Sequence, residues 1–435
     1  MNSNIPKKIP LKVVIATAIG NYITWFEFAS YGFLAVVISR IFFPMDSPGL
    51  ALLMTFGAFG VSFLMAPLGA LFFGRLGDTV GRKRILVAVI LLMSGSTFAI
   101  GLLPTYETLG VAAPIILVLF RMLQGFASGG EPGGAATVLA ESAAPARRAM
   151  TVSVWHCSSF LANASASALV FGLTSLISEE ALEAWGWRIP FLLAGALGVI
   201  AYLIRRQLEE TPTFLALEAA NEKSKSPIKD VLSLNLKEVL QTTGCMAFQG
   251  AAFYFIFVYI ETYLRVELDL NYMQASISNI ACLCAASVSI FLFAYLSDQY
   301  GRRAIMLMGA ALSTAIIYPV FLAFSTKEYS LIILGHTALG ICLATFMSAS
   351  GAALVEIFPA KVRYAGFSIA YGLAIAIFGG SSAFIATWLI SLTGSPLSPS
   401  ILVIATGLIA IISVVSMRET APAGLKKRNL KLANT

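Results

Sequence analysis

Leu76-Gly77-Asp78-Thr79-Val80-Gly81-Arg82-Lys83-Arg84 and Leu296-Ser297-Asp298-Gln299-Tyr300-Gly301-Arg302-Arg303-Ala304 are two versions of one pattern: an aspartate, two residues, a glycine, then two residues of which the first is always arginine. Each follows a long apolar run, and a charged glycine turn between apolar runs marks a short loop joining two membrane-spanning helices. A second duplicated set lies downstream of each. Glu141, Pro145 and Arg148 recur as Glu356, Pro359 and Arg363, with the arginine seven residues after the glutamate in both copies. Asp78 and Asp298 are 220 residues apart, and Glu141 and Glu356 are 215 apart. Two sets sharing nearly one displacement define an internal repeat, as expected of a chain built from two similar halves.

Composition agrees. The 435-residue chain is 58% hydrophobic and 12% charged, with mean hydropathy +0.84, which excludes a water-soluble domain. Twelve apolar stretches occur, at about 13–39, 50–74, 85–103, 112–140, 149–177, 187–206, 239–264, 273–296, 304–325, 329–355, 364–391 and 398–417. Most have the roughly 17–25 residues that a spanning helix needs. They carry no alternation of the kind that marks a β-barrel. The expected fold is an all-α membrane protein of twelve transmembrane helices in two six-helix pseudo-repeated halves: bundles over 1–208 and 238–417, a polar linker over 209–237 and a basic tail over 418–435.

Orientation follows from the basic residues. With both termini cytoplasmic, the inner segments hold 24 of the 29 Lys and Arg, and the outer side holds only Arg40, Arg188, Arg265 and Lys327. That asymmetry predicts a multi-pass protein of a bacterial cytoplasmic membrane. It also accounts for the net charge of +7 as topology and lipid contact, so no nucleic-acid partner is expected. Lys426, Lys427, Arg428 and Lys431 of the tail either meet anionic lipid or are unstructured. Cys157, Cys245, Cys282, Cys284 and Cys342 all fall inside predicted spans, as small apolar packing groups and not as a disulfide framework. The run after Lys7, Lys8 and Lys12 is too long for a signal peptide and is expected to stay as the first helix.

Charge inside the spans needs a reason. Glu27 lies near the middle of the first span, on one face with Asn21, Thr24 and Tyr31 at helical spacing. Arg121, Gln124, Ser128 and Glu131 make a similar stripe on the fourth, a cation and an anion about 15 Å apart at 1.5 Å per residue. Unpaired, each such charge costs roughly 2.5–3.5 kcal/mol on insertion scales, so pairing or a hydrated cavity must offset it. One reading makes Glu27 or Glu131 the carrier of a coupling proton, because a buried carboxylate is easier to protonate, and makes Arg121 the planar fork for a substrate carboxylate. The other is a permanent ion pair fixing the first and fourth helices. His156 and Asn163 on the fifth span, and Gln249 and Tyr371 in the second half, are further candidates for a substrate pocket. Glu261 and Arg265 suggest a surface pair or an outer gate. The duplicated residues Asp78, Gly81, Arg82, Glu141, Arg148, Asp298, Gly301, Arg302, Glu356 and Arg363 suggest a cytoplasmic gate of ion pairs; the alternative is an orienting turn with surface pairs worth less than about 1 kcal/mol each.

The two loops resemble the signature of the major facilitator superfamily. Gly20-Asn21, Trp25-Phe26-Glu27-Phe28, Tyr31-Gly32-Phe33, Phe42-Phe43-Pro44, the run from Gln124-Gly125-Phe126 to Gly129-Gly130-Glu131, Trp185-Gly186-Trp187-Arg188-Ile189-Pro190-Phe191 and Glu209-Glu210-Thr211-Pro212 resemble, more narrowly, its metabolite:proton symporter branch. The branch includes proline/betaine, α-ketoglutarate, shikimate and citrate carriers. The resemblance implies uptake of a small organic metabolite with protons by alternating access, without a cofactor or metal, by a monomer. Two departures stand out: Glu27 replaces the usual aspartate, and Ala66 stands before Pro67 where an arginine is usual.

Other classes fit poorly. No Gly-x-x-x-x-Gly-Lys-Ser/Thr, His-Glu-x-x-His or Gly-x-Ser-x-Gly segment is present, so neither an ATP-driven pump nor a membrane enzyme is expected. A proton-coupled exporter would carry a Gly-Pro-rich fifth helix, and here that helix reads Ser158-Ser159-Phe160-Leu161-Ala162-Asn163. The Ala376-Ile377-Phe378-Gly379-Gly380 run favours an organic acid as substrate, by resemblance. A zwitterionic osmolyte such as proline or betaine is the alternative, since Arg121 is the only cation expected at core depth and one cation suits a monoanion or zwitterion.

Overall fold

The structure is a computed structural model, and it describes residues 9–422. Lys7, Lys8 and the basic tail residues Lys426, Lys427, Arg428 and Lys431 lie outside the described residues.

The chain is helical throughout its apolar stretches, as it must be where no water satisfies the backbone. Before the linker run α1 (Leu11–Phe33), α2 (Ala35–Phe42), α3 (Pro48–Thr79), α4 (Arg82–Leu102), α5 (Ala112–Ser128), α6 (Glu131–Ser142), α7 (Arg148–Leu176) and α8 (Arg188–Arg205). The linker holds α9 (Pro212–Ala219) and α10 (Pro227–Leu234). After it come α11 (Leu236–Tyr254), α12 (Ile260–Val266), α13 (Tyr272–Tyr300), α14 (Arg302–Ser325), α15 (Tyr329–Glu356), α16 (Arg363–Ala374), α17 (Ser382–Thr393) and α18 (Ser400–Ser416). Among the described residues, ten helices are long and apolar enough to cross a membrane; α1 and α2 form a further bent pair, and α18 is a shorter apolar helix.

Several irregularities depart from uniform spans, among them a π-helical turn at Leu182–Gly186 in the sixth. The first stretch bends by 68° between Phe33 and Ala35, where the Leu34 N–H closes back on Ser30 and Gly32. The fourth breaks at Gly129-Gly130. The seventh and eleventh each contain a π-helical turn, at Phe255–Tyr259 and Ile375–Gly379.

Small residues let backbones approach where helices cross, as is usual in lipid: a Cβ on Gly125 would meet the Ser62 backbone, and one on Gly129 the backbone of Ala66 and Ala70. The helices before and after the linker meet along two seams, α3 against α16, and α7 against α13 and α15. Large apolar side chains such as Leu64, Leu68 and Phe72 point outward, as expected of a surface bathed in hydrocarbon.

Candidate functional site

Between the seams lies a narrow cavity of about 20 Å³ lined by Trp25, Trp155, His156, Ser159, Gln249 and Phe253, with Tyr371 and Ile375 also in its wall. Four of its ten lining residues, Trp25, Trp155, Phe253 and Tyr371, are aromatic. The Trp25 ring stands 4.4 Å from Phe253 and 5.7 Å from Tyr254, and Trp155 packs 4.4 Å from the His156 ring. No carboxylate lines it. Both chain segments flanking the linker contribute, so any relative movement of the two changes its size. Gln249 is held by the Ser350 hydroxyl at 2.6 Å.

On α5, against the part of α1 that carries Phe28 and Tyr31, sits Arg121, fully buried. Its guanidinium lies over Tyr31 at 4.4 Å, Phe28 at 4.9 Å and Phe59 at 5.3 Å. Rings in this geometry attract a desolvated cation by up to about 2 kcal/mol each. Nη1 donates to Gln124 Oε1 at 2.9 Å, while Nε and Nη2 make no hydrogen bond. Among the described residues no carboxylate lies within ion-pair distance of it. The cage and the cavity are linked by aromatic contacts through Phe63, which packs on Phe28 and on Tyr254 at 5.5 Å each.

Arginine only donates, so Gln124 must turn its oxygen to Arg121 and its amide nitrogen to Thr97 Oγ1, 2.9 Å away. Thr97 therefore accepts there, and its one proton has two possible destinations: Glu27 Oε2, in close contact, or the Met93 carbonyl at 2.9 Å. The other Glu27 oxygen has no hydrogen bond, and the side chain is fully buried. A chain Arg121–Gln124–Thr97–Glu27 thus joins cation and acid through neutral groups.

Glu131 pairs with Arg205, whose Nη1 donates to Glu131 Oε2 and to the Leu86 carbonyl, both at 2.9 Å, while Nε reaches the Ala16 carbonyl at 2.9 Å. This clasp ties α1, α4, α6 and α8. Gly20 makes room for it: a Cβ there would collide with the guanidinium. Arg205 was counted among the loop cations by sequence, at the polar end of its span, yet it is fully buried. Arg121 is therefore not the only fully buried cation.

On the face that carries the linker the duplicated residues come together as a latch. Asp78 accepts from the backbone N–H groups of Tyr364 (3.4 Å) and Ala365 (2.9 Å), at the start of α16; Asp298 accepts from Ala149 and Met150 (3.1 Å each), at the start of α7. A carboxylate there satisfies unpaired donors and meets the positive end of the helix dipole. Arg82 lies 3.1 Å from Asp78 and 3.5 Å from Glu141, which also holds Arg363 at 3.2 Å. Arg302 lies 3.6 Å from Asp298 and 2.8 Å from Glu356, which holds Arg148 at 3.0 Å. Gly81 and Gly301 have φ of 128° and 117°, a conformation that L side chains rarely adopt.

The family model of the Major Facilitator Superfamily matches residues 17–289 and 243–434. The chain belongs to that superfamily. This facilitator is 33% identical over 424 residues to a protein of Staphylococcus aureus (strain COL) named putative proline/betaine transporter, covering 95% of this chain and 90% of that one. It is 32% identical over 424 residues to the proline/betaine transporter of Salmonella typhimurium, covering 95% and 85%. Among solved structures, the proton:xylose symporter XylE bound to 6-bromo-6-deoxy-D-glucose superposes with a TM-score of 0.79 at 14% identity, covering 94% and 96%. This facilitator is a multi-pass integral membrane protein and a secondary transporter. The Staphylococcus aureus and Salmonella typhimurium relatives are both named for proline and betaine, and neither for an organic acid.

The remaining sequence candidates scatter. Asn21 clasps α7, donating to the Trp155 carbonyl at 2.7 Å and accepting from its indole at 2.6 Å; Thr24 donates to the Gly20 carbonyl at 3.0 Å, and Asn163 to that of Ser159 at 2.9 Å. Ser128 turns back on Gly125 at 2.9 Å. Tyr31 donates to the Thr55 carbonyl at 3.1 Å. Glu261 is buried on α12 and accepts from Ser276 and Asn279 of α13 at 2.8 Å each.

Sequence reading of this facilitator missed Thr97, Arg205 and a third duplicated element. Glu210 accepts from the N–H groups of Arg82 (3.1 Å) and Lys83 (3.2 Å), and Glu419 from those of Arg302 (3.0 Å) and Arg303 (3.2 Å). Each caps the helix that follows the glycine turn. The signal was present as Glu-Thr at 210–211 and at 419–420.

Proposed function

We propose that this transporter takes up a small zwitterionic osmolyte of the proline or betaine class together with protons, by alternating access in a bacterial cytoplasmic membrane. The bent pair counted as one span, and α18 as another, make twelve spans, six on each side of the linker over 209–237, within bundles 1–208 and 238–417 and ahead of the tail 418–435. The linker face is cytoplasmic, by the excess of basic residues there. The latch holds that face shut while its ion pairs and helix caps are made, and the halves rock apart when they break.

The observation that carries the substrate reading is the pairing of unspent guanidinium donors with an aromatic cavity. Arg121 has two nitrogens without hydrogen bonds in a site free of carboxylates at bonding distance, which suits a substrate carboxylate. Aromatic faces such as those of Trp25, Trp155 and Tyr371 suit an ammonium group, quaternary ammonium above all. A tricarboxylate would leave charges without partners here. The cavity is smaller than such a solute, so entry requires the two sets of helices to part.

Glu27 carries the proton. When it is ionised, Thr97 donates to it; when it is protonated, it donates to Thr97, whose own proton turns to the Met93 carbonyl. Glu131, tied to Arg205, serves the scaffold and not the coupling. Uptake of labelled proline, glycine betaine, citrate, α-ketoglutarate and shikimate into proteoliposomes under an imposed pH gradient tests the reading. Proline or betaine should accumulate and the polycarboxylates should not; Glu27→Gln should abolish gradient-driven accumulation while leaving exchange of labelled for unlabelled solute. Accumulation of citrate alone, or an unimpaired Glu27→Gln, overturns it.

A further inference from the structure

The linker face holds a second cavity, which neither the transport site nor the latch uses. It is an open groove of about 620 Å³ between α10 and the end of α3, where Arg75, Ser226, Ile228, Lys229, Leu232 and Ser233 form its walls. Its two ionisable groups, Arg75 and Lys229, are both cations and both exposed. The acid on the same helix, Asp230, accepts from the Ser224 hydroxyl at 2.6 Å and does not line the groove.

The surroundings are apolar in a particular direction. Leu64, Leu68 and Phe72 succeed one another at four-residue steps on α3, exposed by 67%, 53% and 52%. Side chains at that spacing form one stripe along a helix, and this one faces the hydrocarbon. It ends one turn before Arg75, so the lipid-facing surface runs directly into the groove. On the other wall, α10 leaves Leu232 exposed by 49%, and Leu234, just past the groove on the same helix, by 71%. A short helix with exposed leucines and a lysine has the character of one lying in the headgroup region.

We propose that this groove is a binding site for an anionic phospholipid of the linker-side leaflet, with acyl chains along the Leu64–Leu68–Phe72 stripe and the phosphate between Arg75 and Lys229. The charge fits an anion, and continuity with the lipid-facing stripe fits an amphiphile better than a free ion. The site is independent of the substrate reading. It has a mechanical setting too: α10 packs against α3, α11, α16 and the turn at 360–362, so a lipid held there touches the element that lies across both halves, next to Asp78.

The test is native mass spectrometry of the full chain in detergent with phosphatidylglycerol and phosphatidylethanolamine of matched acyl chains. The wild type should retain phosphatidylglycerol preferentially, and the double variant Arg75→Gln/Lys229→Gln should lose about five-fold per cation removed. Lys225→Gln/Lys237→Gln, which removes the same charge outside the groove, should keep the preference. The proposal is overturned if the groove variant binds like the wild type, if the control variant loses as much, or if inorganic phosphate at equal concentration displaces the lipid, which would make this a free-anion site. Both groove side chains are exposed, and a thermal melt of each variant, expected unchanged, confirms that lost binding is not lost folding.

Discussion

On the linker face the principal ties come in pairs: Asp78 at the start of α16 answers Asp298 at the start of α7, Glu141 with Arg363 answers Glu356 with Arg148, and Glu210 answers Glu419. The central site has no such symmetry. A displacement of 215 to 220 residues carries Glu27 into 242–247, where there is no acid or base, and Arg121 into 336–341, where only His336 titrates. His336 is spent on Ser278 and the Ile256 carbonyl, at 2.9 and 2.8 Å. Closing a face requires both halves to contribute equally, because each must hold the other. Coupling a proton to a solute requires one acid and one cation, and a single half can supply them.

That contrast can be broken in order of expected effect. Arg121→Gln, striking the one-sided site, should raise KM for a carboxylate-bearing solute by about 10- to 100-fold, the loss of a charged hydrogen bond worth roughly 1.5–3 kcal/mol, with little change in the labelling of the linker face. Asp78→Asn and Asp298→Asn should behave as twins. Each removes the charge from a helix cap and its arginine, so each should shift the closed linker face toward open by about ten-fold, read as alkylation of a cysteine introduced at the linker end of α16; a large effect from one and none from the other would end the symmetric picture. Glu210→Gln and Glu419→Gln should also match each other, at a few-fold, since caps of this kind are worth about 1 kcal/mol. Thr97→Val should slow gradient-driven uptake by a few-fold, because it deletes one neutral hydrogen bond of about 1 kcal/mol, while Thr97→Ser restores the wild-type rate and its dependence on pH.

The latch was legible because it is written twice. Asp78 and Asp298, with their glycines and arginines, need no knowledge of the third dimension to be paired, and the glycine positions mark the turn on their own. The site was legible only in part. Glu27 and Arg121 announce themselves as charges in an apolar run, but Thr97 is one hydroxyl among many, and nothing local says that it bridges them. The partnership of Glu131 with Arg205 is not legible locally: the two lie 74 residues apart in sequence and meet only through the fold. Arg205 follows four apolar residues at the end of its span, and counting it with the polar stretch that begins there was the natural choice without the fold.

The π turns at Phe255–Tyr259 and Ile375–Gly379 carry a consequence for how their helices present side chains. A π turn holds one residue more than the α turn it replaces, and one residue is about 100° of rotation about the axis. Each therefore accommodates one residue more than an α turn would, without breaking the helix. Everything outward of it has been turned relative to everything inward. Removing one residue from Phe255–Tyr259 would straighten the ladder and swing Glu261 away from Asn279, while leaving Gln249 in the cavity wall. Insertion and deletion, and not only substitution, are thus a route by which the outer half of a span can be redirected while the inner half keeps its partners.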